Sequence, residues 1–156
     1  MNFWMDIAMD DLKKTIAMVD VITINDEEAR QLSGEYSLIA AAKKIREMGP
    51  KYIIIKKGEH GALLFHEEEM FFAPALPLEV VKDPTGAGDT FAGGFIGYLA
   101  QTDDISFENM KRAIVTGSAL ASCCVEEFGT QKMESITELD VDKRIQQFIS
   151  LMNVKF

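Results

Sequence analysis

The sequence predicts an α/β protein with a mostly parallel sheet, and two observations lead to that prediction. Stretches with helical spacing of apolar residues alternate with short continuous apolar runs, in the order helix, strand, helix, strand. Continuous apolar runs are typical of strands buried on both faces of a parallel sheet. The 47% of hydrophobic residues and the mean hydropathy of +0.02 agree with a globular protein that has its own core.

The first half of the chain supplies two helix–strand pairs. A helix is predicted at residues 10–18, and the apolar run 21–24 follows it as a strand. A second helix, at residues 37–48, ends at Gly49-Pro50, and the run 52–55 is the next strand. Consecutive strands joined by a helix pair in parallel, so these elements predict a parallel sheet with covering helices.

The second half begins with a hairpin and continues with helices. The stretch Gly58-Glu59-His60-Gly61 joins the preceding strand to the apolar run 62–65, which turns at residues 66–69 into the run 70–73, and this pattern predicts a pair of hairpins. A helix is predicted at residues 87–101, and a second helix begins after Ser106, whose hydroxyl is a good N-cap. A final amphipathic helix is predicted from the spacing of Leu139, Ile145, Phe148, Ile149 and Met152.

The charge and cysteine content exclude several classes of partner and site. The net charge of −9 leaves no basic stripe that could neutralise the phosphates of a nucleic acid. The N-terminus lacks a signal-peptide pattern, and no apolar segment approaches the length of a membrane span, which predicts a cytoplasmic protein without membrane contact. Cys123 and Cys124 are adjacent, and we expect small core residues there rather than a disulfide or a zinc site.

One stretch, Asp83 to Gly94, has the residues of an anion-binding loop. It reads Asp-Pro-Thr-Gly-Ala-Gly-Asp-Thr-Phe-Ala-Gly-Gly and opens a predicted helix. The N–H groups of a first helical turn lack intrahelical partners, and the helix dipole adds partial positive charge there. Because glycine allows close approach of the backbone, the N–H groups of Gly86, Ala87 and Gly88 are predicted to converge on a phosphate or an oxyanion.

The carboxylate of Asp89 follows directly, and a helix N-terminus favours the ionised form that can accept a proton. A simpler interpretation is that Asp83 or Asp89 caps the helix and that the glycines only form the turn. The later glycines argue against it, because Gly93, Gly94 and Gly97 each cost the helix about 1 kcal/mol relative to Ala. Close approach of another backbone or of a nucleotide is expected to offset that cost.

At these residues the sequence strongly resembles the second signature of the ribokinase-like (PfkB) carbohydrate kinases. The resemblance implies that the amides of Gly86, Ala87 and Gly88 form an anion hole and that Asp89 is the catalytic base. It places Thr85 against the nucleotide. It also implies a three-layer α/β/α, Rossmann-like sheet that is mostly parallel and includes a β-hairpin.

Two polar residues after the first predicted strand, Asn25 and Glu28, have two interpretations. Taken alone, they are best explained as a helix N-cap and an acidic residue of the first turn. The resembled family carries an Asn-x-x-Glu motif here, which is associated with magnesium and its waters around the phosphates. The resemblance therefore implies that Asn25 contacts the nucleotide and that Asn25 and Glu28 hold magnesium through water, and their oxygens suit a hard cation.

The resemblance assigns further positions. Gly58 and Gly61 form a Gly-x-x-Gly pattern, weak by itself, that lies against the nucleotide in the family. Asp83 and the turn near Gly129 are implied to bind a monovalent cation such as potassium. Ala121 lies in a small-residue stretch that is explained first as a core face of a helix, and its smooth surface also suits a flat adenine ring.

Members of the resembled family are longer, and their sugar-recognising strands and lid have no counterpart here. We expect residues 1–156 to be a single α/β nucleotide-binding C-terminal portion of such a kinase, lacking the N-terminal half. The predicted activity is transfer of the γ-phosphoryl group of ATP, with magnesium, to a hydroxyl of a sugar-like substrate. Two alternatives stay open: a nucleoside kinase of the same family, and a non-catalytic nucleotide-binding or assembly module.

The expected lack of an N-terminal half has two consequences for the chain by itself. An uncovered sheet edge and uncovered helix faces predict self-association into a homo-oligomer. The chain alone is expected to bind ATP or ADP weakly and to phosphorylate no sugar, because the groups that hold the attacking oxygen are missing.

Overall fold

The computed structural model describes residues 2–154, which divide into two compact units. Residues 2–58 and 62–72 form the first unit, and residues 59–61 and 73–154 form the second. The helices described are α1 (Asn2–Ile7), α2 (Met9–Ile16), α3 (Asp26–Ser33), α4 (Leu38–Arg46), α5 (Ala87–Thr102), α6 (Phe107–Cys124), α7 (Gln131–Ser135) and α8 (Glu138–Met152). The strands described are β1 (Val21–Asn25), β2 (Tyr52–Lys56), β3 (Ala62–His66) and β4 (Glu69–Ala73), and Gly58–His60 forms a 3₁₀ turn.

The four strands form one mixed sheet in the order β1-β2-β3-β4. Strand β1 pairs in parallel with β2, with Val21 opposite Tyr52 and Asn25 opposite Lys56. Strand β2 pairs antiparallel with β3, with Ile53 opposite Phe65. The predicted parallel pair and hairpin strands are confirmed, whereas the prediction of a mostly parallel sheet holds only for β1 and β2.

The core of the first unit is centred on β2. Ile53, Ile54 and Ile55 are all 0% exposed, so this strand is covered on both faces, as its continuous apolar run indicates. Burying one such side chain contributes about 1.5–3 kcal/mol, which makes these three residues a large share of the unit's stability. Ala41 and Ile45 of α4 are buried in the same core, so α4 covers the sheet.

The second unit is built on the close packing of α5 and α6. A Cβ atom on Gly94 would lie 3.1 Å from the Cα atom of Gly117, and one on Gly117 would lie 2.6 Å from the carbonyl oxygen of Phe91. The expected close approach of another backbone is therefore confirmed for Gly94. Nothing lies within 4 Å of a Cβ atom built on Gly93 or Gly97, so helix packing explains neither of these glycines in the described residues.

The segment between β4 and α5 differs from a regular strand. The apolar run at residues 76–81 has no helix or strand assignment, and Val80 and Val81 are 59% and 54% exposed. Pro74 and Pro77 interrupt the segment, and proline has no N–H group to donate to a sheet. An apolar composition alone therefore does not make this segment a strand.

Two remaining sequence features also have a structural counterpart. Cys123 and Cys124 are 2% and 3% exposed and free, which confirms the prediction of small core residues. None of the helices within residues 2–154 has the length and apolar character that crossing a membrane requires.

Candidate functional site

The loop that precedes α5 is folded around a left-handed glycine. Gly86 has φ +81° and is the N-cap of α5, and its carbonyl accepts the N–H of Thr90 at 2.8 Å. Side chains with a Cβ atom rarely adopt this φ, whereas glycine does so without steric cost. The Gly-Ala-Gly sequence thus has a local reason: glycine at position 86 lets the chain turn directly into the helix.

The backbone N–H groups of this loop are not equivalent. The N–H of Ala87 donates to the carbonyl of Pro84 at 3.2 Å. Within the part of the chain that the structure describes, the N–H groups of Gly86 and Gly88 have no hydrogen-bond acceptor. In this conformation a turn inside the loop uses the N–H group of Ala87, so the amides of Gly86 and Gly88 are the two available to an anion, and the three-amide anion hole stays a prediction.

The carboxylate of Asp83 is held ionised at the start of the loop. Its Oδ1 atom accepts the backbone N–H of Thr85 at 2.9 Å. The Thr85 backbone N–H, the Thr85 side chain and the Gly129 backbone all lower the pKa of Asp83 below its ordinary value. Asp83 and the Gly129 turn, to which the family resemblance assigns a monovalent cation, therefore lie next to each other.

A main-chain carbonyl that the sequence analysis did not single out fixes the approach to this loop. The carbonyl of Val125, at the end of α6, accepts the N–H of Lys82 at 2.9 Å and the N–H of Asp83 at 3.3 Å. Lys82 also forms an ion pair of 2.6 Å with Glu127. Main-chain acceptors leave no signature in a sequence, so no pattern could have identified Val125.

The predicted base, Asp89, lies in the first turn of α5 and is exposed. Among the described residues its carboxylate has no hydrogen-bond or ion-pair partner. An exposed carboxylate without a partner has both oxygens available to accept a proton from a bound hydroxyl group.

The small-residue stretch around Ala121 serves mainly the packing of α6. Gly117 contacts Phe91 of α5, and Ala119 is 0% exposed. The Ser122 hydroxyl donates to the Ala119 carbonyl at 2.7 Å. Ala121 itself is half-buried, so of the predicted smooth surface only a part remains accessible to a ligand.

In the first unit, Asn25 and Glu28 form a reciprocal helix cap. Asn25 Oδ1 accepts the N–H of Glu28 at 2.7 Å, and Glu28 Oε2 accepts the N–H of Asn25 at 2.9 Å. This capping box begins α3, so the simpler of the two interpretations describes their contacts. Burial raises the pKa of Glu28, the Asn25 backbone and the charge of Lys56 lower it, and the net pKa lies below its ordinary value.

The capping hydrogen bonds of Asn25 and Glu28 do not test whether these two residues also hold magnesium. The described residues contain no group of three His, Cys, Asp or Glu side chains that could hold a metal ion. Magnesium usually keeps several waters and uses only one or two carboxylates, so a larger group is not required. The oxygen donors of Asn25 and Glu28 are of the type that magnesium accepts.

The two glycines of the Gly-x-x-Gly pattern differ in their surroundings. Gly58 has φ +55°, and nothing lies within 4 Å of a Cβ atom built on it. Gly61 has φ +87°, and a Cβ atom there would collide with the backbone of Ala73 and lie 2.9 Å from Ala75 N. Packing therefore requires glycine at position 61, whereas only the left-handed φ favours it at position 58.

The predicted site residues are divided between the two units. Asn25, Glu28 and Gly58 belong to the first unit. The second unit contains the remaining ones: Gly61, Asp83, Thr85, Gly86, Ala87, Gly88, Asp89 and Ala121. Neither of the two cavities described, of about 230 Å³ and 190 Å³, is lined by any of these residues.

Comparison with known proteins identifies the family of this chain. A model of the pfkB family carbohydrate kinases matches residues 2–137. The chain is 38% identical to the cytidine kinase of Thermococcus kodakarensis over 92 residues, which cover 57% of this chain and 33% of that protein. It is 30% identical to the aminoimidazole riboside kinase of Salmonella typhimurium over 139 residues, covering 89% of this chain and 42% of that protein.

The fold of a solved kinase structure also matches the fold of this chain. A putative ribokinase II from E. coli, in complex with ATP and Mg²⁺, superimposes with a TM-score of 0.77 at 27% identity. The match covers 94% of this chain and 46% of the other, so the chain spans less than half the length of these relatives. The α/β fold is ribokinase-like, and the chain belongs to the pfkB family of carbohydrate kinases.

Proposed function

We propose that residues 1–156 form the C-terminal, nucleotide-binding portion of an ATP-dependent phosphotransferase with a three-layer α/β/α fold. The acceptor is a hydroxyl group of a sugar or a sugar-like molecule. The observation that carries the proposal is the loop at residues 83–89. It combines a left-handed Gly86, two unengaged backbone amides and an exposed carboxylate at the start of one helix.

In the proposed reaction the carboxylate of Asp89 accepts the proton of the acceptor hydroxyl. The oxygen then attacks the γ-phosphorus of ATP, the bond from that phosphorus to the bridging oxygen breaks, and ADP leaves. The amides of Gly86 and Gly88 and the N-terminus of α5 stabilise the negative charge that develops. The amide of Ala87 joins them only if its hydrogen bond to Pro84 opens.

Two kinds of cation fit the proposal. Asn25 and Glu28 would hold magnesium through its water ligands, and the ion would neutralise charge on the phosphate groups. The ionised Asp83, beside the Gly129 turn, would bind a monovalent cation such as potassium and so brace the loop. Gly58, Gly61, Thr85 and Ala121 are proposed as nucleotide contacts.

A nucleoside acceptor is the second candidate, and one observation favours it. The cytidine kinase of Thermococcus kodakarensis is 38% identical to this chain over the matched residues. Because the chain spans less than half of its relatives, the choice between sugar and nucleoside, and between a catalytic and a purely nucleotide-binding role, belongs to the whole protein.

The test is nucleotide binding by the chain itself, measured by calorimetry with ATP and magnesium. We expect weak binding that Gly86→Val reduces at least about tenfold, because a β-branched residue disfavours the left-handed φ that shapes the loop. Gly34→Val is the matched control, since Gly34 also has a positive φ, +76°, at a helix end outside the loop. Equal ATP affinity in the two folded variants would reject the loop as the phosphate site.

A further inference from the structure

A cavity of about 190 Å³ lies in the second unit, and no residue of the loop at 83–89 lines it. Its walls come from three helices: Cys123 of α6, Lys132 of α7, and Asp140, Lys143, Arg144 and Gln147 of α8. None of these residues has a role in the proposed phosphoryl transfer. The cavity therefore needs a separate explanation.

Arg144 is the most buried charge of this cavity. Its side chain is 14% exposed, and its Nη2 atom pairs with Glu126 Oε1 at 2.8 Å. Its Nη1 atom donates to the Ser122 hydroxyl at 3.4 Å. A guanidinium carries five N–H donors, and these two bonds use two of them. The other donors have no acceptor among the described residues, so a largely buried planar donor group is left for a ligand.

Two lysines add charge without strong partners. Lys132 lies 3.7 Å from Glu126 Oε2, a long contact, and Lys143 forms no ion pair within the described part of the chain. The opposing carboxylates are already engaged, since Glu126 pairs with Arg144, and Asp140 Oδ2 accepts the Thr137 hydroxyl at 2.6 Å.

The thiol of Cys123 adds no negative charge to these walls. Burial raises its pKa, so the sulfur stays neutral at ordinary pH. The three cations, Lys132, Lys143 and Arg144, therefore outnumber the carboxylates of Glu126 and Asp140 by one. This local excess of positive charge occurs in a chain whose net charge is −9.

We propose that this cavity binds the phosphoryl group of a small ligand, either inorganic phosphate or a phosphate monoester. A phosphoryl group presents several acceptor oxygens, which match the planar donors of Arg144 and the point charges of the two lysines. The cavity holds roughly six water volumes, enough for one phosphate ion with part of its hydration. The amide of Gln147 supplies a neutral donor on the same wall.

The experiment is an NMR titration of the 156-residue chain with inorganic phosphate and, separately, with a sugar monophosphate. We expect saturable shifts at the backbone amides of Lys132, Lys143 and Gln147. The double variant Lys132→Gln/Lys143→Gln should weaken the affinity about three- to thirtyfold, because each exposed charge contributes modestly. The matched control is Lys13→Gln/Lys14→Gln, which removes the same charge from α2 in the first unit.

The outcomes separate this cavity from the loop at residues 83–89. Tighter binding of the monoester identifies a phosphorylated metabolite, and tighter binding of inorganic phosphate identifies the free ion. Gly86→Val should leave the NMR shifts at the cavity unchanged, so the experiment tests the cavity independently of the proposed nucleotide site. Shifts confined to residues 83–89, or equal affinity in the two double variants, would overturn the proposal.

Discussion

At the scale of single residues, Asp89 is exposed in the first turn of α5, and we propose it as the general base of phosphoryl transfer. Within a kinase that contains this chain and an acceptor-binding portion, we expect Asp89→Asn to lower kcat about 10²–10⁴-fold. ATP affinity should stay nearly unchanged, because the carboxylate acts on the acceptor hydroxyl rather than on the nucleotide. Steady-state kinetics and calorimetry test both parts.

The control for Asp89 is a carboxylate of the same unit that lies outside the loop. Asp142→Asn on α8 removes an equal charge from an exposed position and should leave kcat unchanged. If Asp89→Asn retained full turnover, Asp89 would not be the base. A loss of ATP binding without any change in kcat would instead assign the carboxylate to the nucleotide.

A second residue-scale prediction concerns Glu28 and pH. Its folded pKa lies below the ordinary value of 4.5, so its contribution to stability is present above the unfolded pKa and is lost as the pH falls through the folded pKa. Glu28→Gln keeps an acceptor for the Asn25 N–H but does not titrate. We therefore expect the free energy of unfolding to fall less steeply below pH 4.5 in Glu28→Gln than in the native chain.

Urea unfolding at neutral and acidic pH measures this difference. Glu27→Gln removes the same charge one position earlier and should keep the native slope with pH, because Glu27 is not part of the capping box. Identical slopes for the native chain and the Glu28→Gln variant would show that the capping carboxylate does not contribute to the acid sensitivity.

The loop at residues 83–89 also shows which features of single residues the sequence does not predict. The string Gly86-Ala87-Gly88 predicted a turn with available amides, and Gly86 has the left-handed φ that this requires. The sequence does not specify which carbonyl accepts each amide N–H, so it does not predict the hydrogen bond from the Ala87 N–H to the Pro84 carbonyl. Asn25 and Glu28 form a capping box, and their residue types do not reveal whether a cation is also bound, because both roles use the same oxygens.

At the scale of elements, Gly94 and Gly97 of α5 differ in their surroundings: Gly94 packs closely against α6, whereas nothing lies near Gly97. Substitutions can distinguish the two cases. Gly94→Ala should destabilise the chain by about 1–3 kcal/mol, because the new Cβ atom would meet Leu120 Cδ1 at 2.6 Å and Gly117 Cα at 3.1 Å. Gly97→Ala should stabilise it by up to about 1 kcal/mol, because nothing lies within 4 Å and Ala favours the helix.

The two variants lie three residues apart on one helix and introduce the same methyl group. Each is therefore the control for the other in thermal or urea unfolding. Equal effects of the same sign would mean that the α5–α6 contact is not as close as described. A destabilising Gly97→Ala would point to a neighbour on the outer face of α5.

Elements are predictable where one kind of interaction dominates. The run at 52–55 is buried on both faces of β2, so hydrophobicity alone identified it. The run at 76–81 is also largely apolar, but it contains Glu79, Pro77 removes a donor, and the segment is not a strand. The order of strands β3 and β4 followed from short connections, whereas the cation-lined cavity joins residues of three helices that no local pattern connects.

At the scale of the whole molecule, the exposed apolar residues of the first unit predict self-association. Phe3, Trp4 and Ile7 of α1 are 65%, 56% and 62% exposed, and their spacing places Phe3 and Trp4 on the same helix face as Ile7. Strand β1 is at one edge of the described sheet and leaves unpaired backbone groups there. Exposed apolar faces of this kind commonly mark protein–protein interfaces.

Light scattering combined with size-exclusion chromatography tests this prediction over a range of chain concentrations. We expect the native chain to elute as a dimer or a larger assembly and Trp4→Glu/Ile7→Glu to shift toward the monomer, because a charge on this face must be desolvated on association. Val154→Glu places the same charge at a 69% exposed position in the second unit and should not change the assembly. A native chain that stays monomeric at every concentration would show that solvent, rather than a second copy, covers the apolar face of α1.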